Sequence, residues 1–197
     1  MEAEDQKNEL RNWAKRQRLS LSQQEVSDQS VAIANRLLTL PIWNRQNYHL
    51  FMTIESQKEV DTEPILTLLQ GKDKRVILPR SHTDGTLSHY LLDEQTLLIK
   101  NRWGIPEPES GIEVKPDQLD VVFVPLLVAD LSGNRIGYGK GYYDRFISEL
   151  NPNALTIGLS LLDPVTKIEA VEAHDRALDL LVTPNGHYCF NSEKLAC

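Results

Sequence analysis

The fourteen residues from Gly133 to Phe146, GNRIGYGKGYYDRF, contain four glycines, one lysine, two arginines, three tyrosines and one aspartate. Glycine allows positive backbone angles and close approach to the main chain, so successive amides can turn toward one anion. Lys140 places a full positive charge among them. Holding a phosphate is the chemistry these residue types suit. Two common phosphate motifs fail on spacing. A P-loop requires glycine at 134 and Ser or Thr at 141, where this chain has Asn134 and Gly141. A dinucleotide fingerprint beginning at Gly137 and Gly139 requires a third glycine where Tyr142 stands.

The loop must be held by its neighbours. DVVFVPLLV, from Asp120, reads as one buried strand leading to it, and YYDRFISEL reads as the helix leaving it. In open α/β sheets a ligand sits beyond the carboxyl end of a strand, where the next helix begins. Gly137, Gly139 and Gly141 can turn amides inward there, and the start of the Tyr142 helix adds a favourable dipole. Asp144, in the first turn, either caps that helix or holds a magnesium ion against phosphates.

A basic helix is expected from about Gln6 to Arg18, with Lys7, Arg11, Lys15 and Arg18 on one stripe beside Leu10, Trp13 and Ala14. It can be a solvated face or a ligand contact. SQQE, Ser22–Glu25, is a capping-box pattern opening a second helix with Val26, Ile33, Leu37 and Leu38 on its apolar face, closed by Pro41. YHLFMTI, RVILPR, SHYLL, ALTIGLS and LDLLVT read as strands and TEPILTLLQ as a short helix. NRWGIPEPESG, with Pro and Gly around Trp103, reads as an ordered surface loop. The alternation predicts one α/β domain over 1–197, a mostly parallel sheet with helices on both faces in a Rossmann-like three-layer arrangement.

Net charge is -7 over 197 residues, which argues against a nucleic-acid surface. The two cysteines show no paired metal spacing, and VVFVPLLVA is too short and Pro-interrupted to span a bilayer. A soluble, cytoplasmic monomer acting on small molecules is expected, with no nucleic acid and no membrane as partner. The histidines are scattered, and His174 is read as structural.

GNRIGYGKGYYDRF resembles the signature of the 5-formyltetrahydrofolate cyclo-ligase family. KNELR, KEVDT, LPR, WGIPEP and EAHDRALDLLVTP follow the family's order, so the resemblance spans nearly the whole chain. It implies ATP- and Mg2+-dependent conversion of 5-formyltetrahydrofolate to 5,10-methenyltetrahydrofolate, with ADP and phosphate released. The implied route is phosphorylation of the formyl oxygen followed by N10 attack. By resemblance, Lys7, Arg11, Arg135, Ile136, Gly137, Tyr138, Gly139, Lys140, Gly141, Tyr142 and Tyr143 contact ATP. Lys140 is the catalytic cation. Met52, Glu59, Trp103 and Tyr142 contact the folate, and Asp144 and Asp179 hold Mg2+. On the residues alone Glu59 is equally a loop charge, and Trp103 equally a packing residue. A small-molecule kinase of related fold and a non-catalytic folate- or nucleotide-binding module are the rival readings.

Overall fold

In the computed structural model, which describes residues 3–172 and 175–195, the chain begins with helix α1, Ala3–Ser20, longer than expected at both ends. His174 and Cys197 lie outside the described residues. Ala14, flanked by Leu10 and Trp13, seats α1 against Leu127, Val128, Ile136 and Ile168. The capping box before α2, Gln23–Leu38, is present: Ser22 Oγ accepts from Glu25 N at 3.1 Å and Glu25 Oε2 accepts from Ser22 N at 2.6 Å. Val26, Ile33 and Leu37 are buried as expected, but Leu38, 100° further round the helix than Leu37, is exposed.

The chain then runs through strand β1, Asn47–His49; helix α3, Glu63–Gly71; and strands β2, Arg75–Ser81, and β3, Leu87–Leu91. Strands β4, Leu98–Lys100, and β5, Pro106–Pro108, pair antiparallel, so the Trp103 segment is a hairpin rather than a plain loop. Strand β6, Val121–Pro125, follows. The long apolar run does not continue as one strand. Pro125 has no N–H to give a ladder, and beyond it Val128–Ala129, β7, pairs antiparallel with Arg135–Ile136, β8. The Asp130 carboxylate closes that hairpin, accepting from the backbone N–H of Ser132 and of Asn134, each at 2.9 Å. Helix α4, Tyr142–Ser148, strands β9, Leu155–Leu159, β10, Leu180–Val182, and β11, His187–Cys189, and helix α5, Ser192–Leu195, complete the chain. Strand β11 carried no clear pattern in the sequence.

One seven-stranded sheet has the order β11-β10-β9-β6-β1-β2-β3. The five inner strands are parallel and both edge strands are antiparallel. Alternate residues serve opposite faces. Val121 and Phe123 join the core under α2 and α3, whereas Val122 and Val124 join the core under Phe146 of α4. Helices therefore cover both faces, as expected. From β1 the chain winds outward to β2 and later, in the other direction, to β6, β9 and β10, so the topology reverses between β1 and β6. Among the described residues no helix is long and apolar enough to cross a membrane.

Candidate active site

A cavity of about 690 Å³ opens at that reversal, with Phe51 just past β1 and Pro125 at the end of β6 on its floor. This is the size of a small-molecule site, placed where parallel α/β sheets leave a crevice. Fifteen of the sixteen sequence-predicted site residues line it. They are Lys7 and Arg11 of α1, the run from Arg135 to Asp144, and Met52, Glu59 and Trp103.

The glycine loop has a defined shape. Gly139 and Gly141 adopt φ of +82° and +69°, left-handed values that a residue with a Cβ rarely takes. A Cβ on Gly139 would also sit 3.3 Å from the Arg11 guanidinium. Arg11 Nε donates to the Gly137 carbonyl at 3.2 Å, tying α1 to the loop. On the far side Arg145 donates to the carbonyls of Gly85 and Lys140, and Tyr142 Oη donates to the His82 carbonyl at 2.8 Å. Lys140 is thereby held on an anchored loop while its own side chain is exposed and finds no protein acceptor among the described residues. Helix α4 has only seven residues, so its dipole is a smaller contribution than expected. Asp144 is not the helix cap, because Gly141 occupies that position. Its Oδ1 accepts from Arg135 Nη2 at 2.7 Å. Burial pulls the Arg135 pKa down, opposed by the charges of Asp144 and Asp175.

A buried relay joins three elements. Arg18 Nη2 donates to Tyr138 Oη at 2.6 Å, and Tyr138 Oη donates to Glu59 Oε1 at 2.6 Å. Glu59 Oε2 accepts from Ile54 N at 2.7 Å. Burial raises the Glu59 carboxyl pKa, against the opposing pull of these bonds and of Arg18, and burial likewise raises that of the Tyr138 phenol. Tyr143 lines the cavity from α4, yet among the described residues its buried hydroxyl has no hydrogen-bond partner, and its ring meets His49 edge-on at 6.1 Å. Trp103 is 42 % exposed, which removes it from the core, with the Arg102 guanidinium 4.1 Å from its ring centroid. Asn101 Oδ1 holds the turn by accepting from Trp103 N and Ile105 N.

Asp179, expected beside Asp144 as a metal ligand, does not line the cavity. It precedes β10, at the amino ends of the parallel strands, and its carboxylate is filled by Thr156 N, Thr156 Oγ1, Asn191 Nδ2 and Lys194 Nζ at 2.9–3.1 Å. The acid that does line the cavity is Asp175, four positions earlier in the same segment. Lys7 Nζ donates to Asp175 Oδ2 at 3.0 Å and to Glu172 Oε2 at 3.1 Å. Burial works against the lysine's charge, but these two carboxylates outweigh it and its pKa is raised. The sequence shows two acids close together; which faces the ligand depends on where β10 starts. Lys15, Arg102 and Glu107 also line the cavity. Lys15 was visible on the basic stripe of α1, whereas Arg102 and Glu107 become cavity residues only once the hairpin forms.

The glycine loop and the Trp103 hairpin line one cavity at the switch point of a doubly covered parallel sheet, the arrangement of an α/β enzyme that acts on a small molecule. The chain belongs to the 5-formyltetrahydrofolate cyclo-ligase family, whose model matches residues 3–184. It is similar to the 5-formyltetrahydrofolate cyclo-ligase of Escherichia coli (strain K12), 31% identical over 169 residues covering 83% of this chain and 90% of the other. It is 33% identical over 152 residues to the enzyme of the same name from Haemophilus influenzae, covering 74% and 79% of the two chains. The solved structure of Aquifex aeolicus 5,10-methenyltetrahydrofolate synthetase superposes with a TM-score of 0.81 at 31% identity, covering 93% of this chain and 92% of that one.

Proposed function

We propose that this protein, acting as a cytoplasmic monomer on small molecules, converts 5-formyltetrahydrofolate to 5,10-methenyltetrahydrofolate with ATP as co-substrate. The observation that carries the reading is that one cavity is lined by the Lys140 loop, by Tyr142 and Tyr143, and by the Trp103 hairpin. In this reading the triphosphate lies on the loop amides with Lys140, Lys7 and Arg11 around it. Trp103, Met52 and the Glu59–Tyr138 pair form the folate side.

The N-formyl oxygen is a poor leaving group. Its attack on the γ-phosphorus releases ADP and leaves an iminium phosphate, whose carbon is then attacked by N10. N10 attack closes the ring, and loss of phosphate and of the N10 proton leaves the methenyl bridge. Little covalent chemistry falls to the protein, which positions the two substrates and stabilises developing negative charge. Lys140 suits that role because its ammonium is not spent on a protein partner, and so can follow charge as it moves. The Arg18–Tyr138–Glu59 relay fixes the wall between both ligands, so that the formyl oxygen and the γ-phosphorus meet.

Among the described residues there is no group of three or more His, Cys, Asp or Glu to cage a metal. This fits Mg2+ as a nucleotide companion, since that ion is commonly held by one or two carboxylates together with phosphate oxygens. Asp144 and Asp175, both at the cavity and both beside Arg135, would hold it, in place of the expected pairing with Asp179. When bound it neutralises charge on the β- and γ-phosphates.

Absorbance of the methenyl product, followed with ATP and Mg2+ each omitted in turn, tests the reading. Product formed only in the complete mixture supports it. Phosphorylated folate that accumulates without ring closure would make the protein a kinase, and binding without turnover would make it a binding module.

A further inference from the structure

Glu107 is a second cavity carboxylate, and its surroundings differ from those of Glu59. It sits at the middle of β5, in the hairpin that carries Trp103, and lines the same space as Trp103 and Ile105. Its Oε1 accepts from Ser81 N at 3.1 Å and from Ser81 Oγ at 2.6 Å. Those bonds fix the carboxylate against the end of β2. Its Oε2 takes no protein donor among the described residues. Both oxygens of Glu59, in contrast, are engaged by Tyr138 and by Ile54 N. A carboxylate anchored at one oxygen and open at the other offers a directed acceptor to whatever fills the cavity.

The charge of Glu107 restricts what that occupant can be. A phosphate or a carboxylate tail beside it would be repelled, whereas a neutral ring bearing N–H donors would be attracted. The reduced pterin ring of 5-formyltetrahydrofolate has such an edge: its 2-amino-4-oxo heterocycle places a ring N–H next to an exocyclic amine. We propose that Glu107 is a specificity-determining residue that accepts hydrogen bonds from this donor edge through Oε2 while Trp103 covers a face of the same ring. The assignment rests on the folate reading above. Ser81 acts as a positioning residue, because it sets the carboxylate without touching the ring.

The experiment compares wild type, Glu107→Ala and Glu107→Gln by calorimetric titration with three ligands: 5-formyltetrahydrofolate, its analogue with the 2-amino group replaced by methyl, and ATP. Melting temperature is recorded alongside. Glu107→Ala weakens the parent folate about 10–100-fold, the scale for losing a charge-assisted hydrogen bond, and leaves ATP unchanged. Wild type prefers the parent over the methyl analogue, and that preference collapses in Glu107→Ala. Glu107→Gln recovers little of the loss, because either orientation of its amide sets an N–H against a donor, the ring edge or Ser81 N. A preference for the parent that persists in Glu107→Ala overturns the assignment. So does equal weakening of folate and ATP with a lowered melting temperature, which is the mark of a structural role. Wild type that binds no 5-formyltetrahydrofolate overturns the folate reading itself, and with it this assignment, before any variant is compared.

Discussion

Arg135 Nη2 lies 2.7 Å from Asp144 Oδ1, so the strand entering the glycine loop and the helix leaving it are joined by one ion pair. The pair is shielded on the arginine side, whose side chain is 5% exposed, and open on the aspartate side at 31%. Asp144 can therefore serve the loop and still meet a ligand's metal. Asp144→Asn keeps the size and one acceptor but removes the charge. The expected outcome is a Mg2+ requirement raised about tenfold in steady-state titrations, the scale of losing one charged contact. Unchanged magnesium dependence would confine Asp144 to loop anchoring.

Lys140→Met is expected to lower turnover about 10²–10³-fold, the range for removing one preorganised electrostatic donor. Folate affinity changes little, because the charge is used most in the transition state. The exposed side chain makes no packing contribution, so the melting temperature stays near that of the wild type. Rapid-quench measurement of ADP formation beside folate titration separates the two effects. A loss carried wholly by folate binding would remove Lys140 from the chemistry.

Trp103→Ala should weaken 5-formyltetrahydrofolate by about 1–3 kcal/mol, roughly 5–150-fold, the scale for one stacked aromatic platform. ATP affinity and thermal stability are expected to persist, because Trp103 is 42 % exposed on a hairpin. Truncating a core tryptophan costs about 3–5 kcal/mol of stability. A large fall in melting temperature would thus show that Trp103 supports the fold and that the pterin stacks elsewhere.

Acid stability provides a separate test, centred on His49 and His89. Their ring centroids are 5.1 Å apart beneath Phe146, both residues are buried, and neither nitrogen of His49 has a hydrogen-bond partner among the described residues. Burial lowers both pKa values, His89 to about 4, with His89 adding to the effect on His49. The unfolded chain then binds protons near pH 6.5 that the folded chain refuses, so stability rises with pH across this window. It is fully present above about pH 6.5 and is lost as pH falls toward about 4, with His89 contributing on the order of 3 kcal/mol. Urea unfolding at pH 7.5 and 5.0 should show a smaller pH difference for His89→Phe than for wild type. Equal slopes would mean that the pair is hydrated.

What sequence reading could reach depended on how local the signal was. Ser22 and Glu25 mark the start of α2 through contacts three residues apart, and alternating burial of Val121 to Val124 follows from strand geometry alone. The β7–β8 hairpin was hidden because DVVFVPLLV is apolar throughout, so nothing in its hydropathy shows the break after Pro125. The glycine loop stood out by composition. Its partners did not: the Arg18–Tyr138–Glu59 relay joins residues 79 and 120 positions apart, and only the packed chain brings them together. The separate surroundings of Asp179 and Asp175 were hidden for a similar reason. Both acids are ordinary neighbours of a strand, and the four donors that occupy Asp179 come from β9, from the segment after β11, and from α5.

Lys7 bonds Asp175 across 168 positions, and that span orders events during synthesis. The cations of α1 are made well before Gly137, Asp144 and Asp175, with which they line the cavity. No complete cavity can exist on a nascent chain until the segment through Asp175 has emerged. Closure of so long a loop also costs more chain entropy than any strand pairing nearer in sequence, which places docking of α1 late among the folding steps. A truncated product that ends after β6 therefore keeps Lys7, Met52, Glu59 and Trp103 but lacks the whole glycine loop and Asp175, the partners to which Arg11 and Lys7 tie α1.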